Sequence, residues 1–420
     1  MSAIGDFSRT SRAMATGDVP VSINNEVSYQ YALPVCMDSQ RRTVRVQPIQ
    51  GGTYNPESTI IFRFQGDFID FANSYLSFTA GITITGTAGN DAFTLNSIHD
   101  LIRSIEITEL ATGKTLENIQ DYNCLRALLS DCSVNGASNY YEGAVTVPTQ
   151  ADTVEATLTQ NYSIQLLSGL LQNDYFIPAK YMGGGLELRI TLESAVNALY
   201  GTGTDKTFAL SDVSYITDIV AMDPAFANGL QSFLLSDPAN HIAIPYDNFT
   251  THVGLKTSTG YTINISEQMS ELLDVYAVQR LATDFGAAGN NSVSLFNSNG
   301  YASHQFITAS GHAFPNFMVN RQDIAYVELR KALNKLGDVQ MVNSLTRATY
   351  EGNNVNHFII GQSFERTQRT DCIKKGISTF KEGQLTLTIN GHTANARVNA
   401  FTHSKRLLYV LGDGSCVVEL

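Results

Sequence analysis

The chain has 420 residues, of which 43% are hydrophobic and 16% charged, with a formal net charge of −12 and no Trp. That length holds two or three domains of roughly 100–200 residues each, with apolar surface enough for sizeable cores. A disordered chain is excluded by this composition, a coiled coil by the low charge and the lack of heptads, and no apolar run approaches the roughly 20 residues of a membrane-spanning helix.

Thr, Ser, Asn, Val, Ile, Tyr, Phe and Gly are plentiful, which points to strands joined by many turns. The acidic balance argues against a nucleic-acid groove as the main role, because neutralising phosphates takes Lys and Arg. The charge is uneven. Residues 1–320 carry 14 basic and 30 acidic residues, a net of −16; residues 321–420 carry 13 and 9, a net of +4. Two readings stay open: variation along an ordinary surface, or a basic end that meets an acidic neighbour or a polyanion.

In chain order, residues 1–40 are polar and aperiodic and read as an extended arm. They contain no apolar segment of a secretory signal, which predicts a protein that is not secreted. Strand alternation begins at Thr43-Val-Arg-Val-Gln-Pro-Ile and continues through Ile60–Phe64, Tyr75–Ile84 and Leu101–Ile107. Ile119, Tyr122, Leu125, Leu129 and Cys132 recur at helical spacing and predict an amphipathic helix. Residues 133–158 and 283–323 are rich in Gly, Asn, Ser and Thr and read as long loops. Within the second, Asp284–Asn291 and Phe296–Tyr301 read as exposed excursions. Asp223 and Pro224 supply the cap and first turn of a second helix, with the stripe Phe226, Leu230 and Phe233. A third helix carries Tyr326, Leu329, Leu333 and Leu336, with Lys331 and Lys335 in its last turns and Gly337 as its stop.

An internal repeat is the most informative feature. Gly184-Gly-Leu-Glu-Leu-Arg-Ile190 is matched by Gly383-Gln-Leu-Thr-Leu-Thr-Ile389, Phe62-Arg-Phe64 by Ile263-Asn-Ile265, and Leu76-Ser-Phe78 by Tyr276-Ala-Val278. The three matches keep their order at offsets of 199, 201 and 200, which points to a duplicated β domain. Each copy, at roughly 180 residues, suits an eight-stranded two-sheet sandwich with long loops and is too long for a seven-stranded immunoglobulin domain.

A search for chemistry yields no catalytic, cofactor-binding or metal-ligating residue. There is no GxGxxG after a strand, and no Walker, HExxH, GxSxG or EF-hand pattern. Gly183-Gly184-Gly185 precedes a strand rather than a helix, so a tight turn is favoured over a phosphate cradle. His304 and His312 share a segment, but no carboxylate or Cys completes a metal set. Asp67 and Asp70 read as turn caps in preference to a calcium pair. Arg9, Arg12, Arg41, Arg42, Lys374, Lys375, Lys405 and Arg406 form too thin a patch for nucleic acid; a solvated surface or a subunit contact is favoured. The five cysteines, Cys36, Cys124, Cys132, Cys372 and Cys416, lack a CxxC pair and read as reduced thiols.

Three stretches together resemble the double jelly-roll major capsid proteins of the adenovirus hexon-like lineage, from tailless icosahedral viruses. Leu166–Leu192 is similar to the late strands of a first jelly roll, Phe208–Pro224 to its last strand and linker helix, and Phe401–Val410 to the final strand of a second. The resemblance spans about residues 40–420 and implies an all-β chain of two tandem eight-stranded jelly-roll sandwiches with short helical insertions. Its expected divisions are an arm at 1–40, a first jelly roll at 41–222, a linker helix at 223–238 and a second jelly roll at 239–420. It further implies a structural, non-enzymatic virion protein, made inside the host cell, that forms homotrimers tiling an icosahedral capsid. The implied partners are its own copies, neighbouring trimers, penton and minor capsid proteins, and a genome or internal membrane on the inner face, with no small-molecule substrate and no cofactor. Two other classes remain: a β-sandwich carbohydrate-binding or host-attachment protein, for which Tyr140, Tyr141 and Tyr301 are the hints, and a jelly-roll carbohydrate enzyme with two carboxylates at a cleft.

Overall fold

The computed structural model describes residues 39–85, 93–95, 97–132, 145–147, 155–201, 205–256, 260–286, 292–333, 345, 347–352, 357–366, 376–391 and 395–419. Alternation produces the first strands. In β2 (Thr59–Phe64), which follows β1 (Ser39–Val46), Ile60, Phe62 and Phe64 turn inward while Arg63 stays in solvent, because the strand period of two puts every second side chain on one face. The chain continues through β3 (Phe68–Thr85), β4 (Phe93–Leu95), β5 (Ile102–Glu109) and β6 (Thr115–Ile119) into helix α1 (Tyr122–Cys132). Then come β7 (Val145–Val147), β8 (Glu155–Ile164), β9 (Leu186–Leu192), β10 (Tyr200–Gly201) and β11 (Asp205–Met222). Helix α2 (Pro224–Ser236) leads to β12 (His241–Lys256), β13 (Gly260–Ile265), β14 (Leu272–Leu281), β15 (Ser303–Thr308) and β16 (Ala313–Val319). Helix α3 (Gln322–Ala332), β17 (Ile359–Ser363), β18 (Leu385–Asn390), β19 (Ala396–Leu411) and β20 (Cys416–Glu419) complete it.

The strands pair into two sandwiches of one topology. The first has sheets β1-β11-β3-β8 and β2-β9-β5-β6; the second has β12-β19-β14-β17, with β20 added to β19, and β13-β18-β15-β16. A small sheet, β10-β4-β7, lies apart from these. With the eight sandwich strands of each half numbered in chain order, both halves read 1-8-3-6 and 2-7-4-5, which is the jelly-roll order. All three sequence matches fall on equivalent strands: the glycine-led pair on β9 and β18, the Phe62 pair on β2 and β13, and the Leu76 pair on β3 and β14. The helices add a correspondence that no sequence match reveals, since α1 and α3 each have 11 residues and each follows the fifth strand of its sandwich.

Aromatic rings fill both cores. Phe64 meets Phe71 and Tyr215 edge-on, with centroids 5.1 Å apart in each case, a favoured ring geometry. Tyr215 is fully buried and shares a 2.6 Å hydrogen bond with the Ser74 hydroxyl, which satisfies its polar end. In the second core Phe306 and Phe364 pack edge-on at 5.7 Å.

Several sequence expectations need correction. Ile119 ends β6 instead of starting the first helix, and Leu128 rather than Leu129 lies fully buried on it. The strand expected from Leu101 starts at Ile102, because Ser97 and Asp100 form a capping box over a helical turn at Ile98–Leu101. Asp223 does cap α2, accepting the Ala225 N–H at 2.6 Å, but the helix buries Ala227 and Leu234 and leaves Phe233 51% exposed. Near that end of the helix, Gly412, in the turn between β19 and β20, lies against the Leu234 carbonyl, where a side chain would overlap it. The stretch 283–323 is no single loop, since it contains β15 and β16, and Phe296 and Ser298 are fully buried. Its polar residues satisfy their own backbone: Asn297 accepts the Asn299 N–H at 2.6 Å, Asn299 takes a left-handed φ of 47°, and the Ser298 hydroxyl donates to the Gly352 carbonyl at 2.9 Å. In the third helix Leu333 is the cap residue, and Leu336 and Gly337 lie outside the described residues.

Candidate functional site

A cluster of buried and part-buried polar side chains joins the two sandwiches. Asp121, in the turn between β6 and α1, has φ 49°, a left-handed conformation that short polar side chains tolerate. Its carboxylate accepts from Arg397 at 2.6 Å and from the Asn399 amide at 2.7 Å, both on β19, and lies 3.5 Å from Arg280 at the end of β14. Arg280 also donates to the Ser292 carbonyl at 2.9 Å and to Asn399 at 2.8 Å. Phe285 lies under both guanidinium groups, with its ring centre 4.7 Å from Arg280 and 5.2 Å from Arg397, so the positive charge that one carboxylate leaves over faces a π-cloud. Burial alone would push the Asp121 carboxyl up, but the charges of Arg280 and Arg397 overcome it and hold the group below the usual range.

Around this cluster the free edge of β6 lies against β12, the first strand of the second sandwich. The Tyr246 hydroxyl donates to the Leu116 carbonyl at 2.7 Å, and the Thr251 hydroxyl donates to the Gln120 carbonyl at 2.5 Å. Glu117, buried on β6, accepts from the Ser168 hydroxyl at 2.5 Å and from the Gly169 N–H at 2.9 Å. Those bonds fix the segment whose Asn173 amide donates to the Pro245 carbonyl at 2.8 Å. A side chain at Gly169 would overlap the Asp247 carbonyl, so the backbones meet there only because the residue is glycine. Farther along, His357 and Asp131, the latter on α1, pair at 2.8 Å across the sandwiches.

His403, on β19, faces two carboxylates, Asp274 at 3.3 Å and Asp247 at 3.7 Å, and stacks on Phe249. Burial would push the imidazole down; the two acids reverse that and raise it to about 9. Asp274 is itself pushed up by burial, so the two shifts oppose one another. We assign the charge to His403, because two carboxylates face it, Asp274 and the half-exposed Asp247.

Residues singled out from sequence take structural places. The Gly183–Gly185 turn packs against the turn between β19 and β20, where a side chain at Gly183 would meet Gly414 and Ala111; it joins the sandwiches. His304 is buried against the Tyr301 hydroxyl at 2.6 Å and pushed down to about 3 by burial, whereas His312 is exposed and pairs with Glu382 at 2.7 Å. Asp70 accepts the Ala72 N–H at 3.0 Å, as a turn cap does, and binds Arg41; Asp67 pairs with Lys180 at 3.5 Å. Arg41 also holds Asp218 at 2.7 Å, and Arg406 binds Glu267, so both are engaged within the chain. Tyr301, a hint of an exposed aromatic face, is buried and donates to the Val319 carbonyl at 2.9 Å. Tyr140, Tyr141, Arg9, Arg12, Lys374, Lys375, Cys36 and Cys372 lie outside the described residues. Cys124, Cys132 and Cys416 are buried and form no disulfide. Among the described residues no group of three or more His, Cys, Asp or Glu could hold a metal ion, and no helix is long and apolar enough to cross a membrane.

Asp121, Arg280, Arg397, Asn399 and Phe285 carry no motif in the sequence that marks them as a group. The available signal was Arg280, a charge two residues after the apolar run Val275–Val278.

Replacing Asp121 with Asn leaves the buried Arg280 guanidinium and the part-buried Arg397 guanidinium facing one another. The expected loss is about 3–5 kcal/mol in chemical denaturation, and Arg280→Met in the same background restores part of it. The His403 pairing acts with the opposite sign to a paired carboxylate. Its raised pKa contributes stability that is fully present below about 6.5, the ordinary imidazole value, and is lost as pH rises through about 9. Melting temperatures from pH 6 to 10 should fall across that window and stay flat there in His403→Gln.

No protein-family model and no curated protein matches the sequence. Solved structures do match by fold. VP54 of PBCV-1 superposes with TM-score 0.60 at 11% identity, covering 93% of this chain and 99% of that one. The Faustovirus major capsid protein gives 0.58 at 10% identity, covering 97% and 98%. The mavirus major capsid protein gives 0.54 at 13% identity, covering 96% of each. The chain therefore has the double jelly-roll fold of these capsid proteins along nearly its whole length.

Proposed function

We propose that this chain is the major capsid protein of an icosahedral virus, and that its role is geometric rather than chemical. The observation that carries the reading is that two sandwiches of identical strand order are joined in one chain by a seam of buried charge. Three such chains present six similar sandwiches, so a threefold object takes a nearly hexagonal outline, and hexagonal units tile a shell. Closed symmetry lets one surface make every such contact. The likeness to three viral capsid proteins over more than nine-tenths of the chain supports the same reading. So do large apolar side chains left in solvent, among them Tyr175, Phe233, Leu235, Leu255 and Phe380, since exposed apolar surface marks contacts with partners.

In this reading the chain divides into an arm at 1–40, sandwiches at 41–222 and 239–420, and a connecting helix at 223–238. The partners are other copies of the chain, neighbouring trimers, and the penton and minor proteins that close the shell, with the inner face meeting genome or membrane. A β-sandwich carbohydrate binder is the second reading; the burial of Tyr301 takes away one of its three hints.

Electron microscopy and light scattering on the purified protein test the proposal. Trimers that form hexagonal sheets or shells are expected; a stable monomer that binds a glycan would overturn it. Deleting residues 1–40 should leave trimers intact by light scattering but impair shells, because an unpatterned arm adds little to either core.

A further inference from the structure

Because the two sandwiches share one strand order, residues on an outer sheet face of one have counterparts in the other. On the outer face of β2-β9-β5-β6 the counterparts differ in kind. Arg63 on β2 donates to Glu187 on β9 at 2.8 Å, and Arg189, also on β9, donates to the other Glu187 oxygen at 2.7 Å. Arg189 lies 4.0 Å from Glu106 on β5, which accepts from the Thr115 hydroxyl on β6 at 3.1 Å. One connected row of alternating sign thus crosses the sheet. Arg63 pairs with Glu187 and Arg189 with Glu106 in the strand register; in the second sandwich the matching pairs are Asn264 with Thr386 and Thr388 with Gln305, all neutral.

The row is not needed to hold its own sheet, since the second sandwich joins the same three strands without it. Exposed ion pairs add little to stability in any case. A polyanion finds no site there, because two cations are matched by two anions. The seam leaves this face free: Arg63, Arg189 and Glu106 keep 53%, 47% and 32% of their side-chain surface in solvent, while the seam draws on the edge of β6 and the turn that follows it. Burial would push the Glu187 carboxyl up, but the two arginines hold it below the usual range, so the alternation is fixed.

The ends of the row are opposite in sign. A copy turned about a two-fold axis that lies in the interface, across the row, therefore sets its Glu106 over Arg63 and its Arg63 over Glu106. Such a face is self-complementary, as an isologous contact requires, and like charges disfavour other registers.

We propose that the outer face of β2-β9-β5-β6 docks on the same face of a second copy, with Arg63 of each chain opposite Glu106 of the other, and that this contact joins neighbouring trimers. The counterpart face of the second sandwich lacks the row and cannot make it. Two sandwiches alike enough to give a nearly hexagonal outline are thereby told apart at its rim. The inference deepens the shell reading above and rests on it.

The test uses the full-length chain. Arg63→Glu alone creates two acid–acid encounters per contact, and Glu106→Arg alone creates two base–base encounters. Each variant should stay trimeric in light scattering with an unchanged circular dichroism spectrum, and should need about tenfold more protein to form sheets or shells. An equimolar mixture should assemble as the wild type does, because the new acid at position 63 of one variant then faces the new base at position 106 of the other. Loss of an internal ion pair predicts no such rescue, since neither variant repairs the other's own row. Assembly of either variant alone at the wild-type concentration, or folded trimers of both that stay apart when mixed, would overturn this contact while wild-type shells keep the shell reading. Should a variant fail to fold, salt decides: wild-type sheets should disperse into trimers as NaCl rises from about 0.05 M to about 0.5 M, and sheets indifferent to salt would overturn the contact. A monomeric wild-type protein would overturn the shell reading and this contact with it.

Discussion

One buried carboxylate organises the junction on which the two-sandwich arrangement depends. Asp121 comes from the first sandwich and the residues that neutralise it, Arg280, Arg397 and Asn399, from the second. Desolvating an ion costs several kcal/mol unless its partners arrive with it. Any other arrangement of the sandwiches strands charge on both sides. Apolar contacts tolerate sliding, but a carboxylate held by two guanidinium groups and an amide does not, so the cluster fixes the angle at which the sandwiches meet. Whether such a cluster adds net stability over an apolar one is secondary; its consequence is the selection of one geometry.

That fixed angle gives the edges their meaning. An antiparallel sandwich has open strand edges, which a protein must cover, twist away or use. Within the chain, β6 and β12 cover one another, with side chains satisfying carbonyls that no sheet partner reaches, Leu116 and Pro245 among them. The glycines at 169, 183 and 414 serve the same junction by letting backbones approach where a β-carbon would intrude. A similar fold recurs in capsid proteins at 10–13% identity, in keeping with a shape held by strand order and a few close approaches more than by particular core residues.

The skewed charge also finds a partial account. The positive last hundred residues spend several cations inside the chain: Arg397 on Asp121 across the seam, Arg406 on Glu267, Arg366 on Glu382 and Lys331 on Glu328. One of these acids belongs to the first sandwich, so the acidic neighbour that the sequence left open is in part the chain itself.

The sequence by itself determined the class of fold. Period-two alternation is a local property of strands, and a duplication carries the same pattern twice; the glycine-led Leu-x-Leu-x-Ile segments and the Phe62 and Ile263 pairs could therefore be placed before any contact was known. Asp223 and Pro224 opened a helix for equally local reasons of capping. Burial of the polar stretch around Phe296–Tyr301 was illegible, because Asn and Ser look alike whether they bond water or their own backbone. The buried face of α2 was equally hidden, since Leu234 rather than Phe233 packs inward and the segment it meets includes Gly412, nearly 180 residues away. The seam lay furthest from view. Asp121, Arg280 and Arg397 are ordinary surface types in sequence, and only tertiary structure, by bringing all three together with Asp121 and Arg280 buried, turns them into one interaction.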